Sequence, residues 1–112
     1  MHEFDIINKY FKVLSKKSSA PLNLNDDIFF DKKKKLAITV DTYNEGIHFV
    51  SFKNPDLVIK KIIRSSISDL VSKGVKPFYY FISASGNKKS FSKRNLYLIN
   101  KSLNQEQNKY KI

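Results

Sequence analysis

Asn54–Gly74 reads NPDLVIKKIIRSSISDLVSKG, and the rest of the fold can be worked out from it. Ile59, Ile62, Ile63, Ile67, Leu70 and Val71 recur at spacings of three and four, which lays one apolar stripe along a helix. Asn54 is a capping residue, and Pro55 suits the first helical position, where its missing N–H is not needed. Gly74 follows as a stop. A helix with one apolar face needs a layer beneath it, so the flanking sequence is read for strands.

Upstream, Asp26-Asp27-Ile28-Phe29-Phe30 and Leu36-Ala37-Ile38-Thr39-Val40 are short apolar runs on either side of a turn at Asp31–Lys35, which predicts a β-hairpin. The run Lys32–Lys35 reads as a solvated turn that also guards an edge. Ile47–Val50, after a turn at Tyr43–Gly46, predicts a further strand. Downstream, Phe78, Tyr79, Tyr80 and Phe81 make Pro77–Ser85 read as a buried strand. Two more helices complete the chain. One spans Glu3–Ser15, with Phe4, Ile7, Phe11 and Leu14 on one face. The other begins near Ser90, with Leu96, Ile99 and Leu103, and runs into a polar tail at Gln105–Ile112. Ser15–Asn25, with Pro21, is a connecting loop. The order α-β-β-β-α-β-α implies an α+β (or α/β) domain, a mixed sheet of about four strands covered by helices.

Composition bounds the function. A length of 112 residues allows one compact domain, and 41% hydrophobic residues with nine Phe and six Tyr support a core. The absence of Cys excludes disulfides, thiolate catalysis and cysteine–zinc sites. No apolar run approaches the ~20 residues of a membrane span, and no signal-like apolar region follows Met1, so a small soluble intracellular protein is expected. The net charge is +11, yet only Arg64 and Arg94 among the 21 basic residues are arginine. Abundant Lys, Asn and Ile with three Ala is the pattern of an A/T-rich coding sequence. A nucleic-acid reader draws on the bidentate arginine fork, so this charge argues against nucleic acid as the partner. A basic module binding nucleic acid or a partner chain is the alternative from another functional class.

Four acids stand at the ends of elements or near an apolar face: Asp26 and Asp27 open one strand, Asp41 closes the next, and Asp69 lies in the long helix beside Leu70. If the hairpin sets Asp27 and Asp41 at one edge, three carboxylates converge with Asp69. Clustered carboxylates repel unless a cation compensates, and Mg²⁺ favours such oxygen ligands. The plainer reading is that they are caps, turn residues and partners of nearby lysines. His48 alternates away from Ile47 and Phe49, which places it toward solvent or a pocket; a structural histidine is the plainer reading there too. Glycine occurs only at 46, 74 and 86, so there is no Gly-rich phosphate loop, and there is no serine nucleophile elbow. Any phosphate chemistry is therefore metal-borne.

Taken in order, several motifs form a pattern: Glu3-Phe4 with Tyr10-Phe11; Asn25-Asp26-Asp27; Thr39-Val40-Asp41-Thr42; Glu45-Gly46-Ile47-His48-Phe49; and Ser68-Asp69-Leu70 with Gly74 and Pro77. This succession, over about residues 3 to 85, resembles the N-terminal domain of the thiamine-monophosphate kinases. Those enzymes belong to the superfamily of aminoimidazole ribonucleotide synthetase and selenophosphate synthetase.

The resemblance implies ATP-dependent transfer of the γ-phosphoryl group to thiamine monophosphate, giving thiamine diphosphate, with several Mg²⁺ ions, in a cytoplasmic homodimer joined through its N-terminal domains. It matches Asp27, Thr39, Asp41 and Asp69 to magnesium ligands and His48 to a position contacting the thiamine phosphate. Another member of the superfamily, with a different substrate, is the nearest alternative. Asn25 stands where the family usually has Gly, and Val40 where a hydroxyl residue contacts a metal, which leaves the number of ions open. The family continues into a Gly-Gly-Asp-Thr nucleotide segment and a C-terminal domain. Residues 1–112 are accordingly expected to be a single N-terminal kinase-like domain that ends before both and is inactive alone.

Overall fold

The computed structural model describes residues 2–24, 26 and 28–112. The turn at Asn25 and the proposed ligand Asp27 lie outside the described residues.

The N-terminal helix covers the span its apolar spacing predicts, but its winding changes along the way. α1 (Glu3–Ile6) runs into a π-helical turn at Ile7–Phe11 and then a 3₁₀ turn at Lys12–Ser15. The hairpin forms from β1 (Phe29–Asp31) and β2 (Leu36–Ile38), which are antiparallel with Phe29 opposite Ile38, Phe30 opposite Ala37 and Asp31 opposite Leu36. Its turn is built by Asp31, whose carboxylate accepts from the N–H groups of Lys33 (3.0 Å) and Lys34 (3.2 Å). The loop before β1 is tied down by Phe30 N–H, which donates to the carbonyl of Ala20 at 2.8 Å.

α2 (Pro55–Val71) has proline at its start, as expected, although the Asn54 side chain makes no capping bond. Its end is a Schellman motif. Val75 N–H donates to the Leu70 carbonyl at 3.0 Å, Gly74 N–H donates to that of Val71 at 2.9 Å, and Gly74 takes φ +74°. By that geometry Lys73 is the cap residue. α3 (Lys93–Tyr110) starts two to three residues later than the sequence implies, because Ser92 caps it by accepting from Asn95 N–H at 3.2 Å. It continues through what reads as a polar tail, stopped by Lys111 in the left-handed region.

The apolar core is small: Ala20, Ile28, Val58, Ile59 and Ile63. α2 packs on α3 through polar groups as well as apolar ones. Ser102 and Glu106, both fully buried, face Asp56 and Arg64. α3 is therefore held by directed bonds on a helix that is polar over most of its length.

The α+β class holds, but the four-strand sheet is not what the described residues form. They pair two strands. Ile47–Val50 is a turn, closed by Gly46 N–H donating to the Phe49 carbonyl at 2.6 Å. Pro77–Ser85 is irregular chain whose aromatics face outward, with Phe78 65%, Tyr79 87% and Phe81 98% exposed. Sequence pattern records which segments can bury a face; ladder formation also needs a neighbouring strand, and none lies beside this one in the chain. The molecule is open as a result. Its radius of gyration is 16.6 Å, against about 13 Å for a compact domain of this length.

Candidate metal and phosphate site

Two of the acids bond to α2 or to the residues just past its end. Asp41, just beyond β2, is exposed, and its carboxylate accepts from the Ser66 hydroxyl at 3.1 Å. Asp69, half-buried, lies three residues after Ser66, and residues so spaced are neighbours on a helix surface. Asp26, before β1, pairs with Lys73 at 3.2 Å, just past the end of the same helix. The open end of the hairpin is thus moored to the C-terminal part of α2 from both of its strands. Thr39, half-buried, is the residue that follows β2.

His48 meets α2 elsewhere. The Lys61 ammonium donates to the His48 carbonyl, five residues before Ser66, or about 7.5 Å along the helix axis. The imidazole itself is oriented: Asn44 N–H donates to Nδ1 at 2.7 Å, and the Tyr43 ring stands edge-on at 5.7 Å. With Nδ1 accepting, the neutral ring carries its proton on Nε2, which makes that atom a donor. Gly46, at φ +81°, makes the turn that brings His48 back against Asn44. Glu45 braces the same loop by accepting from Phe52 N–H at 3.3 Å.

The donor set fits a hard cation. Asp41, Asp69 and Thr39 offer oxygen only, and Mg²⁺ uses one or two carboxylates, retained waters and substrate phosphates in place of a full protein cage. Among the described residues no group of three His, Cys, Asp or Glu side chains converges closely enough to hold an ion alone. Neither of two open clefts in the described surface, of about 440 and 560 Å³, is lined by Asp41, His48 or Asp69. Among the described residues no helix is long and apolar enough to cross a membrane.

Sequence reasoning did not find the three tethers, Ser66 to Asp41, Lys61 to His48 and Lys73 to Asp26. Helical spacing could have found the first, since Ser66 sits one turn before Asp69.

Similarity to known proteins identifies the family. Residues 24–112 match the family model for the AIR synthase related protein, N-terminal domain. Over 110 residues the chain is 36% identical to a thiamine-monophosphate kinase of Buchnera aphidicola subsp. Schizaphis graminum (strain Sg), covering 89% of this chain and 34% of that protein. It is 32% identical over 84 residues to one of Caulobacter vibrioides, covering 72% of this chain and 24% of that one. With a Haemophilus influenzae homologue it is 33% identical over 81 residues, covering 69% and 25%. The chain spans about a third or less of these curated relatives. No solved structure matches it. On the family model and these relatives, the chain belongs to the AIR synthase related family, as an N-terminal domain of the thiamine-monophosphate kinase kind.

Proposed function

We propose that the chain is the magnesium- and substrate-binding part of a thiamine-monophosphate kinase. In this reading Asp41 and Asp69, with Asp27 and Thr39, hold magnesium. The observation that carries it is the mooring of Asp41 to Ser66, one helical turn from Asp69. When bound, the ions would neutralise phosphate charge during transfer of the ATP γ-phosphoryl group to thiamine monophosphate.

The chain's own residues position rather than attack. Phosphoryl transfer asks little covalent chemistry of a protein, in keeping with a sequence that has no cysteine. The His48 Nε2–H is a donor that suits the phosphate of thiamine monophosphate, and the Asn44 and Tyr43 contacts fix its direction. Lys61 holds the backbone beneath it.

The proposal includes a homodimer through this domain. The irregular aromatic segment around Phe78–Phe81 supports that reading, because Phe78, Tyr79 and Phe81 present exposed apolar surface. Cytoplasmic placement, a single kinase-like domain over 1–112 and inactivity of that polypeptide alone belong to the same reading. The test is a magnesium titration followed by NMR. Resonances of Asp41 and Asp69 shift in the natural sequence, and Asp69→Asn abolishes the response at both. Saturation without movement at either position would end the reading.

A further inference from the structure

α3 is polar on two opposite sides, and one of them holds it to the rest of the chain. Ser102 and Glu106 are buried and bond to Asp56 and Arg64 of α2. Tyr97, Asn100, Asn104 and Gln107 recur at spacings of three and four, which lays them along the other side of the helix. Facing that stripe is Tyr80, half-buried on the irregular chain after α2, whose hydroxyl donates to Gln107 Oε1 at 2.8 Å. These side chains and Lys101 line an open cleft of about 440 Å³. That volume falls within the span of about 300 to 1,000 Å³ common to small-molecule sites.

The bonds made within the chain determine which polar atoms of the cleft are left over. Tyr80 occupies the side-chain oxygen of Gln107, and Asn108 Nδ2 donates to Asn104 Oδ1 at 3.4 Å, so both residues still offer their NH₂ groups. Among the described residues the Asn100 carboxamide has no partner, which leaves one further donor and one acceptor. Lys101 is exposed and forms no salt bridge among the described residues, although its charge reaches Asp56. Tyr97, 66% exposed, supplies a flat ring. No carboxylate lines the cleft among the described residues. The surplus is therefore several N–H donors, one acceptor, one cation and an aromatic face.

We propose that this cleft binds a pyrimidine nucleotide, with the base against the Tyr97 ring, its edge met by the carboxamides of Asn100, Asn104 and Gln107, and its phosphate drawn to Lys101. The inference does not depend on the magnesium site.

Three physical grounds support it. An exposed tyrosine ring offers a stacking surface, and every base has a matching π-face. The edge of uracil sets two carbonyl acceptors about one N–H, which calls for the donors and the single acceptor that the carboxamides leave free; Asn and Gln side chains read base edges in this way. An ammonium with no carboxylate beside it in the cleft suits a phosphate. The stripe is also presented on a helix fixed from behind by the paired bonds of Arg64 and Glu106, so its spacing is set before any ligand arrives.

The experiment titrates the 112-residue chain with uridine 5′-monophosphate and follows the side-chain NH₂ signals of Asn100, Asn104 and Gln107 by ¹⁵N–¹H NMR. Saturable shifts of all three are expected, with saturation transfer from tyrosine ring protons to H5 and H6 of the base. Uridine, which lacks the phosphate, should bind roughly three- to fivefold more weakly, the scale of one charge pair a few ångströms apart in water. Lys101→Met should bring the nucleotide to the affinity of the nucleoside. Tyr97→Ala should weaken both by about tenfold, with a circular dichroism spectrum equal to that of the natural sequence. Should that variant lose its fold, the shifts and saturation transfer of the natural sequence decide the matter alone. Equal binding of adenosine 5′-monophosphate overturns the assignment of the base, and the same shifts with inorganic phosphate overturn the role of the ring. If millimolar uridine 5′-monophosphate moves none of the three signals, the proposal falls.

Discussion

Arg64 and Glu106 join α2 to α3 through two parallel hydrogen bonds, Nε to Oε2 at 3.0 Å and Nη2 to Oε1 at 2.9 Å. The carboxylate is almost wholly buried, while about half of the guanidinium side chain reaches solvent. This fork-to-fork geometry is the strong form of an ion pair, and it is what arginine supplies and lysine cannot. One of the chain's two arginines is therefore used for structure.

Glu106→Gln keeps the shape of the side chain and removes its charge. We expect it to lower folding stability by about 1–3 kcal/mol, toward the smaller figure because Arg64 can turn to water. Urea denaturation should show a reduced midpoint at unchanged slope. A midpoint equal to that of the natural sequence would mean that the seam adds nothing to stability.

Asp56 gives the seam a pH dependence. The Ser102 hydroxyl, helped by Lys60 at 3.2 Å, holds its carboxyl below the ordinary value of 3.8 against the opposing effect of burial. A depressed carboxyl contributes stability that is present above 3.8 and is lost as pH falls through the lower folded value. Ser102→Ala removes the largest cause, so the onset of acid unfolding should move to higher pH. Circular dichroism during an acid titration measures it, and an unmoved onset would exclude this coupling.

Gly74 tests the helix stop. Its φ of +74° is unfavourable to any Cβ, yet a Cβ built there meets nothing within 4 Å. The penalty of Gly74→Ala is thus conformational alone, about 1–2 kcal/mol. Gly74→Asn should lose less, since asparagine tolerates the left-handed region. Thermal melts of the two variants should rank in that order.

Mixed with ATP, Mg²⁺ and thiamine monophosphate, a polypeptide of residues 1–112 should show no turnover above blank. It covers about a third of the length of its relatives. Robust formation of thiamine diphosphate would contradict this.

The sequence makes α2 legible nearly to the residue, because apolar periodicity, Pro55 and Gly74 all point the same way. The hairpin is legible too, since its turn chemistry is local to Asp31. Ile47–Val50 and Pro77–Ser85 are misread as strands because apolar content reports a wish for burial and says nothing of whether a neighbouring strand is at hand. Glu106 carried a readable signal: it is the one acid after Gly86, among seven lysines and arginines, and sits four residues from Ser102. What could not be read is its partner, because Arg64 lies 42 residues away and only the packing of two helices brings it near. For the proposed site, the carboxylates are visible as residue types at element ends. Their mooring to Ser66 and Lys73 is tertiary and appears only in three dimensions.

The stretch from Pro77 to Lys89 has a consequence for handling the protein. Tyr80 ties it to α3 by donating to the Gln107 side chain at 2.8 Å, while Phe78, Tyr79 and Phe81 stand outward on chain without regular structure. Those are the side chains after which chymotrypsin cuts, so limited digestion should nick here first, leaving α3 held to α2 by the Arg64–Glu106 pair. Any surface that settles over these rings will slow the nick, which makes the rate of cleavage a simple gauge of when the segment has found its cover.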